Sequence, residues 1–198
     1  MERDGALAPS SYGKESEVEK AFLIGACACA LLGAIRDVKT RRIPNWLTYS
    51  AFLAGLLLRA CFGGWHGVWY GFLGGLVGGG IFLLFFLVGG MGAGDVKLMA
   101  AVGSLAGWDH IGNSPAVVII VLACAIAGGV LALIYMVFRR RVGSTLKNVW
   151  FLVRHHMLFG VQSHPDINLH DPNAIKMPYA LAIAAGTFYS LGAMLVQR

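Results

Sequence analysis

The stretch "HGVWYGFLGGLVGGGIFLLFFLVGGMGAGDVKLMAAVG", residues 66–103, decides the fold. Its first 29 residues, His66 to Gly94, contain no Lys, Arg, Asp or Glu. A helix of about 20 such residues crosses the hydrocarbon core of a bilayer. Asp95 and Lys97 follow, an acid and a base at the edge of another apolar run, Leu98 to Trp108. An ionisable side chain at that depth is expensive, so by default it marks function.

The rest of the chain repeats the pattern. Of its 198 residues, 57% are hydrophobic and only 13% charged, which is too little polar material to clothe a soluble domain of this length. Uncharged or nearly uncharged stretches also cover Ala21 to Ile35, Ile43 to Leu58, Ile111 to Phe138 and Met177 to Gln197. The reading is all-α: one polytopic membrane bundle of about six transmembrane helices over residues 21–198. The stretches at 66–94, 111–138 and 177–197 span unaided. Those at 21–35, 43–58 and 98–108 reach the necessary length only if Asp37, Arg59 and Asp95 lie at the membrane boundary, where Arg59 would snorkel. Residues 1–20 carry five acids against three bases. They lack the basic start and small-residue cleavage site of a signal peptide, and read as a loose polar tail. Between 139 and 176, Leu146, Val149, Trp150, Val153 and Met157 recur at helical spacing, which predicts an interfacial helix on the cytoplasmic face.

Charge sets the orientation. With Asp37 at the cytoplasmic end of the first span, eleven of the 16 Lys and Arg residues fall on that side and five on the other. Short cytoplasmic loops collect positive charge, so Asp37 and Asp95 both face the cytoplasm. The net charge of +6 is mostly topogenic and attracts anionic headgroups. No aromatic-interleaved basic surface points to nucleic acid.

Other chemistries find little support. Cys27, Cys29, Cys61 and Cys124 form no C-x-x-C pair and read as small buried hydrophobes rather than a zinc or redox site. His155, His156, His164 and His170 lie near Asp166 and Asp171 without metal-ligand spacing, so neither metal nor cofactor is expected. The runs "GFLGGLVGGG" and "AIAGG" let helices approach closely.

Two aspartates remain. Asp95 follows Gly92 and Gly94, whose bare backbone could pair with an extended substrate strand. Asp37 opens "DVKTRRIPNWLT", with Pro44 starting the next helix. Carboxylates at the cytoplasmic ends of different helices can meet across a bundle. Two close acids cannot both ionise cheaply, so one keeps a proton while the other acts as base, the arrangement that splits an amide with water. Plain structural roles also exist: Asp37 offsetting Arg36 and Lys39, Asp95 capping a helix.

These residues carry a resemblance. "GAGD" at Gly92 to Asp95 resembles the G-x-G-D signature of intramembrane aspartyl proteases. Asp37 with "IPN" at Ile43 to Asn45, then "GAGDVKLMAAVG", then "MPYALAIAAG" at Met177 to Gly186, together resemble the prepilin peptidases, or type IV leader peptidases, in the short form associated with tight-adherence pili. The resemblance implies Asp37 and Asp95 as the catalytic dyad, Gly92 and Gly94 in a substrate-facing loop, and Pro178, Tyr179 and Ala180 packed near the site. It implies prepilin or pseudopilin substrates, cut on the cytoplasmic side of the inner membrane between a short basic leader and an apolar helix. Lys97 is the candidate to meet an acidic residue early in the mature pilin.

Larger members carry a cytoplasmic insert with paired C-x-x-C motifs and methylate the new N-terminus. This chain has neither, which argues against methyl transfer. The tyrosine that precedes the first aspartate in presenilin-like relatives is absent: Ile35 and Arg36 precede Asp37. The alternative is a non-catalytic scaffold or small transporter whose aspartates hold helices or carry protons. A transporter predicts related halves with matching broken helices, and no such repeat is visible.

Overall fold

The structure, a computed structural model, describes residues 9–87, 90–111, 113–138, 150 and 179–196. Five helices account for nearly all of them: α1 (Pro9–Thr40), α2 (Asn45–Leu87), α3 (Ala93–Ala106), α4 (Ala116–Phe138) and α5 (Tyr179–Val196). Four of the five, all but α3, are long and apolar enough to cross a membrane. The all-α membrane bundle expected from the sequence is the fold observed. A two-residue antiparallel ladder, β1 (His110–Ile111) with β2 (Ser114–Pro115), closes the turn before α4. It delays the start of that helix to Ala116, whose N–H donates to the Asp109 carbonyl at 2.7 Å.

The helix α2 has 43 residues, about 64 Å if straight and twice the thickness of the apolar core. It is instead folded in two at Gly64, whose φ of 56° and ψ of −143° lie outside helical space and suit only a residue without Cβ. Contacts across the fold pair residues on either side of that point. A Cβ at Gly75 would touch Phe52, and one at Gly71 would touch Leu56 and Arg59. The two arms, 45–63 and 65–87, are therefore antiparallel. With α1, α3, α4 and α5 they make six helical segments, of which α3, at 14 residues, falls short of the length that crosses a bilayer; six full passes were expected from the sequence.

At the centre lies α3, 14 residues and about 21 Å long. Leu98, Met99, Val102 and Ser104 on its various faces are all fully buried, as expected for a helix enclosed on every side. The second arm of α2 presents Gly74, Gly75, Gly78 and Gly79, and a Cβ on any of them would press into α3. Small residues bring the backbones together here, which replaces hydrophobic driving force inside a bilayer. From the other side α1 brings Ala26, Ala30 and Ala34 into the same core. At α5, Gly186 sits against the Cys124 sulfur and the Ile120 carbonyl of α4.

Several expectations need correction. Residues 9–20, read as a loose tail, continue α1 as helix. Lys20 Nζ pairs with Glu17 at 2.8 Å, three residues away, and lengthening a helix already nucleated below costs little. Arg59 does not snorkel outward. It is 3% exposed and turns inward to the end of α3. Cys27, Cys29 and Cys124 are buried as expected, but Cys61 is exposed on the bundle surface. The interfacial helix, the His155–His170 segment and Pro178 lie outside the described residues.

Candidate active site

The turn after α1 positions the first acid. Arg41 takes a left-handed φ of 51° and its N–H donates to the Asp37 carbonyl at 2.8 Å, the single-bond closure of a helix C-terminus. Asp37 is thus held in the last turn of α1. The chain then runs through Ile43 and Pro44 into α2, where Leu47 N–H donates to the Pro44 carbonyl at 3.1 Å. Asn45 points its amide oxygen at Lys97 Nζ of α3, 3.0 Å away, and the same ammonium lies 5.4 Å from the centre of the Tyr49 ring.

The second acid sits in the first turn of α3. Gly92 is the N-cap, its N–H donating to Asp95 Oδ2 at 3.3 Å while Asp95 N–H donates to the Gly92 carbonyl at 3.1 Å. The reach-back of an acidic third residue to the cap is a stabilising start for a helix, and the dipole favours a carboxylate there. Capping uses only one oxygen. Asp95 is 8% exposed, and its Oδ1 has no hydrogen-bond partner among the described residues. A buried polar atom left unpaired needs an explanation, and a catalytic role is one of the few available.

The acids share one end of the bundle. Asp37 and Asp95 are near enough for their charges to repel. The N–H of Ala180, in the first turn of α5, donates to the Asp37 carboxylate, and the Arg41 charge also acts on it. Tyr179 lies within the field of Asp95. Three helix ends therefore converge, the C-terminus of α1 and the N-termini of α3 and α5. The convergence brings Asp37, Asp95, Gly92 and Tyr179 together.

The two glycines differ. A Cβ at Gly94 would lie 3.3 Å from the Ile43 Cβ, whereas one at Gly92 would meet only Asp95 Oδ2 at 3.4 Å. The side of Gly94 is thus occupied by this chain's own Ile43, and the exposed backbone is that of Gly92. Lys97 is partly engaged by Asn45. Ala180 was expected near the site, but not the bond from its N–H to Asp37, and the Asn45 amide had no expected role. The "IPN" triplet marked where Asn45 sits, but its partner is 52 residues away. No cluster of metal-ligating side chains occurs among the described residues.

The opposite end of α3 holds a second charged group. Arg59 Nη2 donates to the carbonyls of Leu105 and Ala106, each at 2.8 Å, and Nε to Ser104 at 3.2 Å. Its Nη1 pairs with Asp109 at 2.6 Å. Gly107, with φ of 70°, leaves the room that the guanidinium occupies. The carbonyls that a helix C-terminus leaves open are thereby satisfied by an arginine from the facing helix.

The family model described as "Type IV leader peptidase family" matches residues 24–133. That range is more than half of the chain and includes both aspartates, the "IPN" triplet and the Gly92–Asp95 cap. No curated protein and no solved structure matches.

Proposed function

The chain belongs to the type IV leader peptidase family, and from that premise we propose that it is an aspartic endopeptidase with Asp37 and Asp95 as its catalytic pair. The observation that carries this is the meeting of the two acids at one end of the bundle, one of them with a buried oxygen that has no partner among the described residues. In this reading Asp37, which receives the Ala180 N–H and lies within reach of the Arg41 charge, is the base, and Asp95 carries the proton. Asp37 then takes the proton from a water that attacks the scissile carbonyl, and the proton on Asp95 goes to the carbonyl oxygen. Collapse of the resulting gem-diol breaks the C–N bond, and the proton held by Asp37 passes to the leaving amine. Asp95 regains its own from the diol, so each acid serves once as base and once as acid.

The substrate would be a prepilin or pseudopilin, cut between its basic leader and its apolar helix, in support of pilus assembly. The site would face the cytoplasm across the inner membrane, in keeping with the eleven-to-five bias of Lys and Arg. Gly92, with its exposed backbone, would meet the extended segment at the scissile bond, next to Gly94, Pro178 and Tyr179. Lys97, held near the opening by Asn45, would receive an acidic residue of the mature pilin. The tight-adherence type and the lack of methyl transfer belong to the same proposal.

The test is cleavage of a prepilin, read as a mobility shift, by Asp37→Asn, Asp95→Asn and the double variant, with membrane levels followed in parallel. Each single change keeps size and most hydrogen bonding and should abolish cleavage. The double change should cost little more, because the acids act as a unit. Near-normal processing by a well-expressed single variant rules the pair out. Additive losses confined to protein level would point to a scaffold.

A further inference from the structure

Among the described residues, Arg41 is the one residue other than glycine whose φ is positive. An L side chain is strained there, because Cβ crowds a carbonyl oxygen, and only glycine, with asparagine and aspartate less often, enters the region routinely. The position just past the end of a helix is also where glycine is strongly favoured. The bend itself makes no use of the guanidinium. It is closed by the Arg41 N–H, which donates to the Asp37 carbonyl at 2.8 Å. It is braced by the Thr40 hydroxyl, which donates to the Arg36 carbonyl at 2.9 Å and reaches that of Arg42 at 3.1 Å. Glycine at 41 would keep every one of these bonds without the strain.

What glycine would not supply is charge. Arg41 stands four residues after Asp37, and its positive charge acts on the Asp37 carboxylate. Two residues further on, Ile43 fills the space beside Gly94, next to Asp95 in the first turn of α3. The bend therefore does two things at once: it sets the helix ends that carry the acids against each other, and it places a cation beside one of them. The other described groups near Asp37 do not duplicate that cation. Asp95, from α3, repels it, and α5 contributes the Ala180 N–H and the phenol of Tyr179. Lys97 of α3 is turned to Asn45 and Tyr49, and Arg36 and Lys39, on the same helix as Asp37, are exposed.

We propose that Arg41 is a positioning residue for the base: the bend accepts a side chain unsuited to its backbone so that a positive charge stands beside Asp37 and makes it, of the two acids, the one that takes the proton from water. The proposal rests on the aspartic-endopeptidase reading of Asp37 and Asp95. An ordinary orienting charge of a cytoplasmic loop has no need of this position, since the exposed Arg42 next to it serves that purpose on unstrained backbone.

The test is steady-state cleavage of a prepilin by the full chain in detergent, with Arg41→Gly, Arg41→Asn, Arg41→Lys and, as control, Arg42→Asn. Glycine and asparagine both accept left-handed backbone, so the Tm of Arg41→Gly should equal or exceed that of the unsubstituted protein. Both uncharged variants should nonetheless lower kcat about three- to tenfold, with KM within about twofold, a loss kept modest because the arginine is exposed to water. Their pH profile of kcat should move upward by about 0.5–1 pH unit, so that activity recovers as the pH is raised, because an acid pair that loses a neighbouring cation ionises less readily. Arg41→Lys should keep most of the rate and Arg42→Asn all of it. Unchanged kcat with an unmoved profile in Arg41→Gly overturns the proposal. So does a loss confined to KM, which would make Arg41 a substrate contact, or an equal loss in Arg41→Lys or Arg42→Asn. Failure of Arg41→Gly and Arg41→Asn to fold also overturns it, since the residue would then be structural. If Asp37→Asn cleaves normally, the endopeptidase reading falls and takes this one with it; an inactive Asp37→Asn beside an unimpaired Arg41→Gly removes this one alone.

Discussion

Arg59→Met removes a buried guanidinium while retaining an apolar stem of similar length. The wild-type side chain satisfies the carbonyls of Ser104, Leu105 and Ala106 and pairs with Asp109. Each buried acceptor left unpaired costs about 1–3 kcal/mol. Asp109 retains some contact with the surroundings at 19% exposed, so its share is the smaller one. Breaking a buried pair by deleting one partner costs about 3–5 kcal/mol, and the structure places Arg59 squarely in that class. Against a typical stability of about 5–15 kcal/mol, the variant should unfold well below the wild type. At roughly 2–4 °C per kcal/mol for a chain of this size, the Tm should fall by about 6–20 °C. Arg59→Lys should fall in between, because an ammonium cannot serve three carbonyls and a carboxylate as the planar fork does. Adding Asp109→Leu to Arg59→Met should recover part of the loss by removing the stranded charge, though not the part due to the carbonyls. The assay is thermal unfolding in detergent. A Tm shift for Arg59→Met below about 2 °C would refute the reasoning, since it would mean that the end of α3 needs no donor.

Gly94→Ala should slow cleavage about tenfold, because its methyl meets Ile43 at 3.3 Å and pushes α3 from the α1–α2 turn; Gly94→Ala with Ile43→Ala should recover part of the rate, and Gly92→Ala should be milder, with the reverse order counting against the packing described. Reporter fusions after Arg41 and after Arg141 should read cytoplasm and one near Asp109 the outside, and reversed signals at two of these would overturn the orientation. Mature pilin released in a purified two-component reaction should carry an unmethylated N-terminus by mass spectrometry; a methyl group there would show an activity that the missing cysteine pairs argue against.

Membrane passes were legible because they rest on local composition. The break between the stretches ending at Leu58 and starting at His66 marks the fold at Gly64, and both aspartates stood out because a carboxylate in apolar surroundings is costly wherever its partner lies. Roles that depend on distant partners were not legible. Arg59 looked like a residue that reaches outward to water, since nothing within ten residues could receive it; its acceptors are 45 to 47 residues further on. Gly94 looked like bare backbone offered to a substrate, yet the atom beside it belongs to Ile43, across a helix turn. The Ala180 N–H that reaches Asp37 is a backbone group, for which side-chain identity carries no signal.

The placement of Arg59 also constrains how the protein is made. Its nearest acceptor, the Ser104 carbonyl, is synthesised 45 residues later, an interval of about 2–9 s at 5–20 residues per second. During that interval the guanidinium has none of its eventual acceptors. A charge at the centre of a spanning helix costs about 2.5–3.5 kcal/mol on the translocon scale, and Arg59, five residues before the fold at Gly64, is spared part of that cost. A charge so close to the turn between the arms has water within reach of its long stem until the last residues of α3 close over it.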